Sequence, residues 1–134
     1  MIEIKNKNGE VIFTYNGDSL KGADLRWADL HGAELSDADL SNSVLVEANL
    51  NGANLEGACL FGVDLYNANL SGANLKNTNL NFANLNCANL TNACLEGANL
   101  ADSDIIGTDL RGANVNNACF TLADIACIIV DETT

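Results

Sequence analysis

From Leu20 to Val130 an apolar side chain stands at every fifth position without one slip of phase, and this beat restricts the backbone more than any other feature. Eighteen of the 23 positions are Leu, and the others are Ile105, Val115, Phe120, Ile125 and Val130. Two residues before each of them the side chain is small: Ala at 16 of the 23, with Ser43, Thr78, Ser103 and Thr108 as near substitutes. A helix needs apolar residues at a spacing of 3.6 and a flat strand at a spacing of two, so five fits neither and the chain must turn once per repeat. Two residues after the apolar site, 14 of 22 positions are Gly or Asn, which tolerate the positive φ that the third position of a type II turn demands. A short extended stretch and a tight corner make one side of a polygon. With four sides per lap, residues 20 apart stack at about 4.8 Å, the ordinary strand spacing. Leu and Ala then point inward and the other three positions outward.

Composition follows from the repeat. The 134 residues include 18 Ala, 19 Leu and 21 Asn and no Pro, a bias that an ordinary α/β enzyme of this size would not carry. Met1-Ile2-Glu3-Ile4-Lys5 lacks the basic start and apolar stretch of a signal peptide. The longest apolar run, Ile125 to Val130, is far short of the roughly 20 residues of a membrane span. These features predict a cytoplasmic chain whose five cysteines are reduced thiols. With 18 acidic against 6 basic residues, the net charge is −12. Such a surface is poorly suited to direct contact with nucleic acid or an anionic membrane.

The units Ala-Asp-Leu-Arg-Trp (23–27), Ala-Asn-Leu-Asn-Gly (48–52), Ala-Asn-Leu-Glu-Gly (53–57) and Ala-Asn-Leu-Ser-Gly (68–72) resemble the consensus of the pentapeptide-repeat family, Ala-(Asp/Asn)-Leu-x-x. The resemblance covers about residues 18–130 and implies an all-β fold, a right-handed quadrilateral parallel β-helix of about 5–6 coils. Val63 and Ile128 depart from the small inward residue, and Val44 and Ile129 from the polar residue before the apolar site.

Three segments are expected. Residues 1–17 do not keep the beat; two alternating apolar stretches flank Asn6-Lys7-Asn8-Gly9, the pattern of an N-terminal β-hairpin cap, with Trp27 expected to pack beneath it. Residues 18–130 form the β-helix, and 131–134 an acidic, polar tail. No cap is legible after the last coil. Phe120, Leu122, Ile125, Ile128, Ile129 and Val130 therefore form a candidate end-to-end surface for a homodimer, the alternative being a final turn that tucks in on itself.

On the outer wall, stacking by laps of 20 places Asp104 beside Asp124 with Asp64 lower in the same column. Such oxygens could hold a divalent cation, but a solvated convex wall offers no enclosure, and no metal or cofactor site is expected. Cys59 and Cys119 fall three coils apart, and Cys87 and Cys127 two, too far for disulfides. Asn49, Asn69 and Asn89 share one column and Asn54 and Asn74 another, so amide ladders along the axis are expected. Phe61 and Phe82 should neighbour each other on successive coils, while Val46, Tyr66 and Ile106 share a column. These five residues are the candidate patch for a protein partner.

No nucleophile–base pair or phosphate loop accompanies these features, so no enzyme is expected. The first reading is a non-enzymatic structural or protein-interaction scaffold. The alternative comes from the resemblance: some relatives mimic duplex DNA and protect DNA gyrase, a topoisomerase, from quinolones by occupying its DNA site. About 5.75 laps at about 4.8 Å make a rod of roughly 27 Å, over which duplex DNA carries some 16 charges at one per about 1.7 Å. The net −12 comes close, but its distribution does not. Residues 18–56 hold eight acids and 96–132 seven, whereas 57–95 hold Asp64 alone, balanced by Lys76.

Overall fold

The computed structural model describes residues 1–134. It begins with a hairpin of β1 (Ile2–Lys5) and β2 (Val11–Tyr15), antiparallel, with Ile2 opposite Tyr15, Ile4 opposite Phe13 and a bulge between Ile4 and Lys5. Its connection is fixed locally: the Asn6 side-chain oxygen accepts the backbone N–H groups of Asn8 (3.0 Å) and Glu10 (3.1 Å). The alternating pattern turns Ile4 inward, and Ile12, Phe13 and Tyr15 pack partly buried against the same core. The hairpin joins the first coil edge to edge, the Lys5 carbonyl accepting the Glu34 N–H at 2.8 Å. Trp27 is not beneath it. Trp27 occupies a turn with φ +58 and is 67% exposed, and the Arg26 guanidinium lies 5.4 Å from its ring centroid. The turn position aims its side chain off the corner, whatever its hydrophobicity.

From Asp24 to Ile129 every residue directly before an apolar site bridges in parallel to the residue 20 positions on, first Asp24 with Val44 and last Asp109 with Ile129. One lap is therefore four pentapeptides. Each coil holds the next by three bonds per side: the Leu25 N–H donates to the Val44 carbonyl at 2.8 Å, the Val44 N–H to the Ala23 carbonyl at 2.9 Å, and the Trp27 N–H to the Val46 carbonyl at 3.0 Å. The corner closes through the Ala28 N–H on the Leu25 carbonyl at 3.1 Å. All of this repeats up the rod, giving a right-handed quadrilateral β-helix without an α-helix.

The residue two after each apolar site has positive φ at every corner from Gly22 to Cys127. Gly and Asn accept this with little strain, but Trp27, Phe82 and Leu122 are held there as well, at φ near +58. The inward column is one continuous apolar core of Leu and Ala from Ala23 to Ala113. Where Ser or Thr replaces Ala, its hydroxyl is satisfied within the core, as Ser43 on the Leu40 carbonyl (2.7 Å) and Thr78 on the Leu75 carbonyl (2.7 Å). Burial is complete through Leu110 and Ala113 and then fails: Val115 and Phe120 are half-buried and Ile125 is 53% exposed.

Candidate functional site

Each outward position has its own chemistry. The Asn or Asp before the apolar site turns its side-chain oxygen onto the backbone N–H two residues later, as in Asp39 to Ser41 (3.0 Å), Asn69 to Ser71 (3.2 Å) and Asn114 to Asn116 (3.1 Å). It therefore fixes the corner locally, a role that spacing alone did not reveal. The axial ladder is partial. Asn69 donates to Asn49 (3.2 Å) and Asn49 to Asp29 (2.9 Å); Asn74 donates to Asn54 (3.2 Å) and Asn54 to Glu34 (2.8 Å). Asn89 does not extend its ladder, although its oxygen accepts the Thr91 N–H just as those of Asn49 and Asn69 accept the N–H groups of Asn51 and Ser71.

Two corners carry exposed apolar side chains, one at each end of the strand Val63–Leu65. At the first, Phe61 and Phe82 meet edge to face, with ring centroids 5.5 Å apart and planes at 67°. They stay 40% and 57% exposed. Beside them the side-chain oxygen of Asn81 is removed from solvent without a hydrogen-bond partner. At the second corner Val46 and Tyr66 stand on successive coils, while Ile106 is two coils above Tyr66 across Asn86, whose side-chain oxygen accepts the Ile106 N–H at 2.8 Å. Between the corners Asp64 accepts the side-chain N–H of Asn84 (2.9 Å) and the backbone N–H of Tyr66 (3.1 Å). Phe61 and Phe82 are thus brought into contact, and Val46 and Tyr66 into sequence; Ile106 stands apart.

The far end of the rod is an open apolar mouth of about 270 Å³ lined by Ile105, Leu110, Val115, Phe120, Ile125 and Ile128, with Val130 and Thr134 at its lip. Of the residues singled out from the sequence, Phe120, Ile125, Ile128 and Val130 line it. Leu122 projects from a corner, 82% exposed, and Ile129 sits on the outer wall bridged to Asp109. The tail folds back along one edge: the Thr134 hydroxyl donates to the Leu110 carbonyl (2.8 Å) and Asp131 accepts the Gly112 N–H (3.3 Å). It does not close the mouth. Hydrogen bonds from Thr133 hold the Asp131 carboxyl well below its ordinary range, at about 2, and the Arg26 guanidinium does the same for Asp24, also at about 2.

The chemistry elsewhere is sparse. Asp104 bridges to Asp124, but no three His, Cys, Asp or Glu side chains converge. All five cysteines are free, with Gly107 standing between Cys87 and Cys127 in their column. The hydroxyl of Thr121 beside the Cys119 thiol lowers its pKa. No helix is long and apolar enough to cross a membrane.

A square-sided solenoid with five-residue sides defines a class of repeat protein, and the family model for pentapeptide repeats matches residues 23–62, 58–97 and 88–125. The chain belongs to the pentapeptide repeat family. A pentapeptide repeat protein from the Arabidopsis thaliana thylakoid lumen is similar at 39% identity, over 70% of this chain and 69% of its own, with a TM-score of 0.61. HetL, a pentapeptide repeat protein involved in heterocyst differentiation regulation from the cyanobacterium Nostoc, is similar at 26% identity, over 85% of this chain and 62% of its own, with a TM-score of 0.71. The full-length structure of QnrB1, a plasmid-mediated fluoroquinolone resistance protein, also matches, at 18% identity and a TM-score of 0.31. No curated protein sequence matches the chain.

Proposed function

We propose that this protein is a non-enzymatic scaffold that binds a protein partner through Phe61, Phe82 and Tyr66, with Val46 and Ile106 at the margins. The observation that carries the reading is Phe82. It is a large aromatic held at φ +58 and more than half exposed, where Gly or Asn would serve the fold better. A bulky residue in the left-handed region costs on the order of 1–2 kcal/mol, and such strain is retained where a side chain is needed for something other than folding. Phe82→Gly relieves the strain and loses an aromatic contact of about 0.5–1.5 kcal/mol, so the two effects nearly offset. Affinity capture from the native cell extract is expected to recover a partner with wild type and lose it with Phe82→Gly and with Phe61→Ser/Phe82→Ser. Identical captured proteins from wild type and variants would remove the reading.

The apolar mouth supports a second contact, the end-to-end homodimer through Phe120, Leu122, Ile128, Ile129 and Val130. Open β-edges with exposed apolar residues are unusual in soluble chains unless something covers them. Asp124, Asp131 and Glu132 of two copies would approach each other, so added salt should tighten this dimer by screening their repulsion. Light scattering at tens of micromolar is expected to give twice the monomer mass, and Leu122→Asp to return it to the monomer. A monomeric mass for wild type at high and low salt would end the proposal.

The topoisomerase reading rests on the family resemblance and on net charge. Its test is a gyrase supercoiling assay with and without ciprofloxacin. Because the middle of the rod has only Asp64 and Lys76 as charged residues, neither inhibition nor protection is expected at micromolar protein.

A further inference from the structure

The surroundings of the Phe61/Phe82 corner restrict the chemistry of what docks there, an inference that rests on the scaffold reading above. The rings sit in the neutral band of the rod. Directly above Phe82 in its own column is Asp102, and on the adjoining wall Asn84 is followed by Asp104 and Asp124, one bridge apart each. Below, the same wall carries Asp64. None of the five ion pairs of the molecule engages Asp64, Asp102, Asp104 or Asp124. The cations nearest in the columns, Lys21 and Arg26, belong to the first coil, and Arg26 is already committed to Asp24 at 2.5 Å. An apolar anchor and uncompensated carboxylates therefore share one edge of the rod, Asp102 and Asp104 one coil and Asp124 two coils above Phe82, at about 4.8 Å per coil.

We infer that the partner presents an apolar side chain followed by Lys or Arg, in a segment lying along the rod axis. The apolar side chain packs on Phe61 and Phe82, and the cations meet Asp102, Asp104 and Asp124 toward the C-terminal end. Burial of the rings supplies the affinity, and the charges supply orientation and exclude acidic partners, since like charges set opposite one another oppose association. The direction is specified as well. The free acids Asp102, Asp104 and Asp124 lie above Phe82, and Asp64 lies level with Phe61. Below the rings the same wall carries only Val44 and Asp24, the latter already paired with Arg26, so a segment laid in reverse would meet fewer free carboxylates.

The probe is a pair of synthetic peptides: acetyl-Gly-Leu-Leu-Gly-Lys-Lys-Arg-amide, and the same peptide with its three cations replaced by Gln. Titrated into the full chain at low salt and followed by amide NMR shifts, the cationic peptide is expected to perturb Phe61, Phe82, Asp102 and Asp104. It should bind about tenfold more tightly than the Gln peptide. Added salt should erase that preference, as should Asp102→Asn/Asp104→Asn, in which Asn remains suited to the left-handed corner at position 102. Phe82→Gly should abolish the shifts with either peptide. Equal binding of both peptides at Phe61 and Phe82 would overturn the cationic partner while leaving the aromatic contact standing. Shifts confined to other faces, or the same shifts in Phe82→Gly, would overturn both.

Discussion

The coil at Leu60–Leu75 and the coil at Val115–Val130 obey the same five-residue rule, yet one is fully buried and the other opens to solvent. In the middle coil every inward side chain has a like one above and below it, so four Leu and their small neighbours are closed from water by repetition. In the last coil the inward residues become Val115, Phe120, Ile125 and Val130, and nothing lies above them. An inward direction is therefore a property of one repeat, whereas burial is a property of three stacked coils. A solenoid has this character because each unit contacts only its neighbours. The outer walls differ in parallel: the middle is neutral and aromatic, and the ends are acidic.

The largest test of this contrast is a charge in the middle column. Leu65→Lys buries an ammonium group without a partner and is expected to abolish soluble folded protein. Wild-type circular dichroism from that variant would refute the inward assignment. Next is a matched pair of truncations. Leu60→Ala should lower stability by about 2–5 kcal/mol, since the cavity is closed on all sides. Ile125→Ala, at a half-exposed site, should cost less than about 1 kcal/mol. Equal urea midpoints for the two would mean that the end is covered after all. Amide exchange should follow the same gradient, slow from Leu60 to Leu100 and fast beyond Val115.

The smallest effect concerns pH. The carboxyls of Asp24 and Asp131 titrate near 2, below their unfolded values, so what they contribute is complete above about pH 4 and fades as pH falls toward 2. Both are solvent-exposed, so the loss should be slight. Carboxyl shifts followed by NMR should give midpoints near 2 for both residues; midpoints near 4 would mean that the Arg26 fork and the tail turn are open in solution.

Much of this was readable in the chain itself. The spacing of Leu and Ala determined which residues face inward, because a period of five allows only a chain that turns at every repeat; the family resemblance supplied the four sides per lap that stack residues 20 apart. Together they placed Phe61 against Phe82 and Asp104 against Asp124 before any coordinates. Trp27 was misjudged because a large aromatic reads as core, whereas its position in the repeat is a corner. The local role of the Asn and Asp side chains was equally hidden, since periodicity reports direction and not hydrogen bonds. Tertiary structure alone decided the orphaned oxygen of Asn81, the contact geometry of the Phe61 and Phe82 rings and the open mouth over Ile105 and Leu110. Each depends on what neighbouring coils supply or fail to supply, whereas a repeat pattern reports the direction of a side chain and not what covers it.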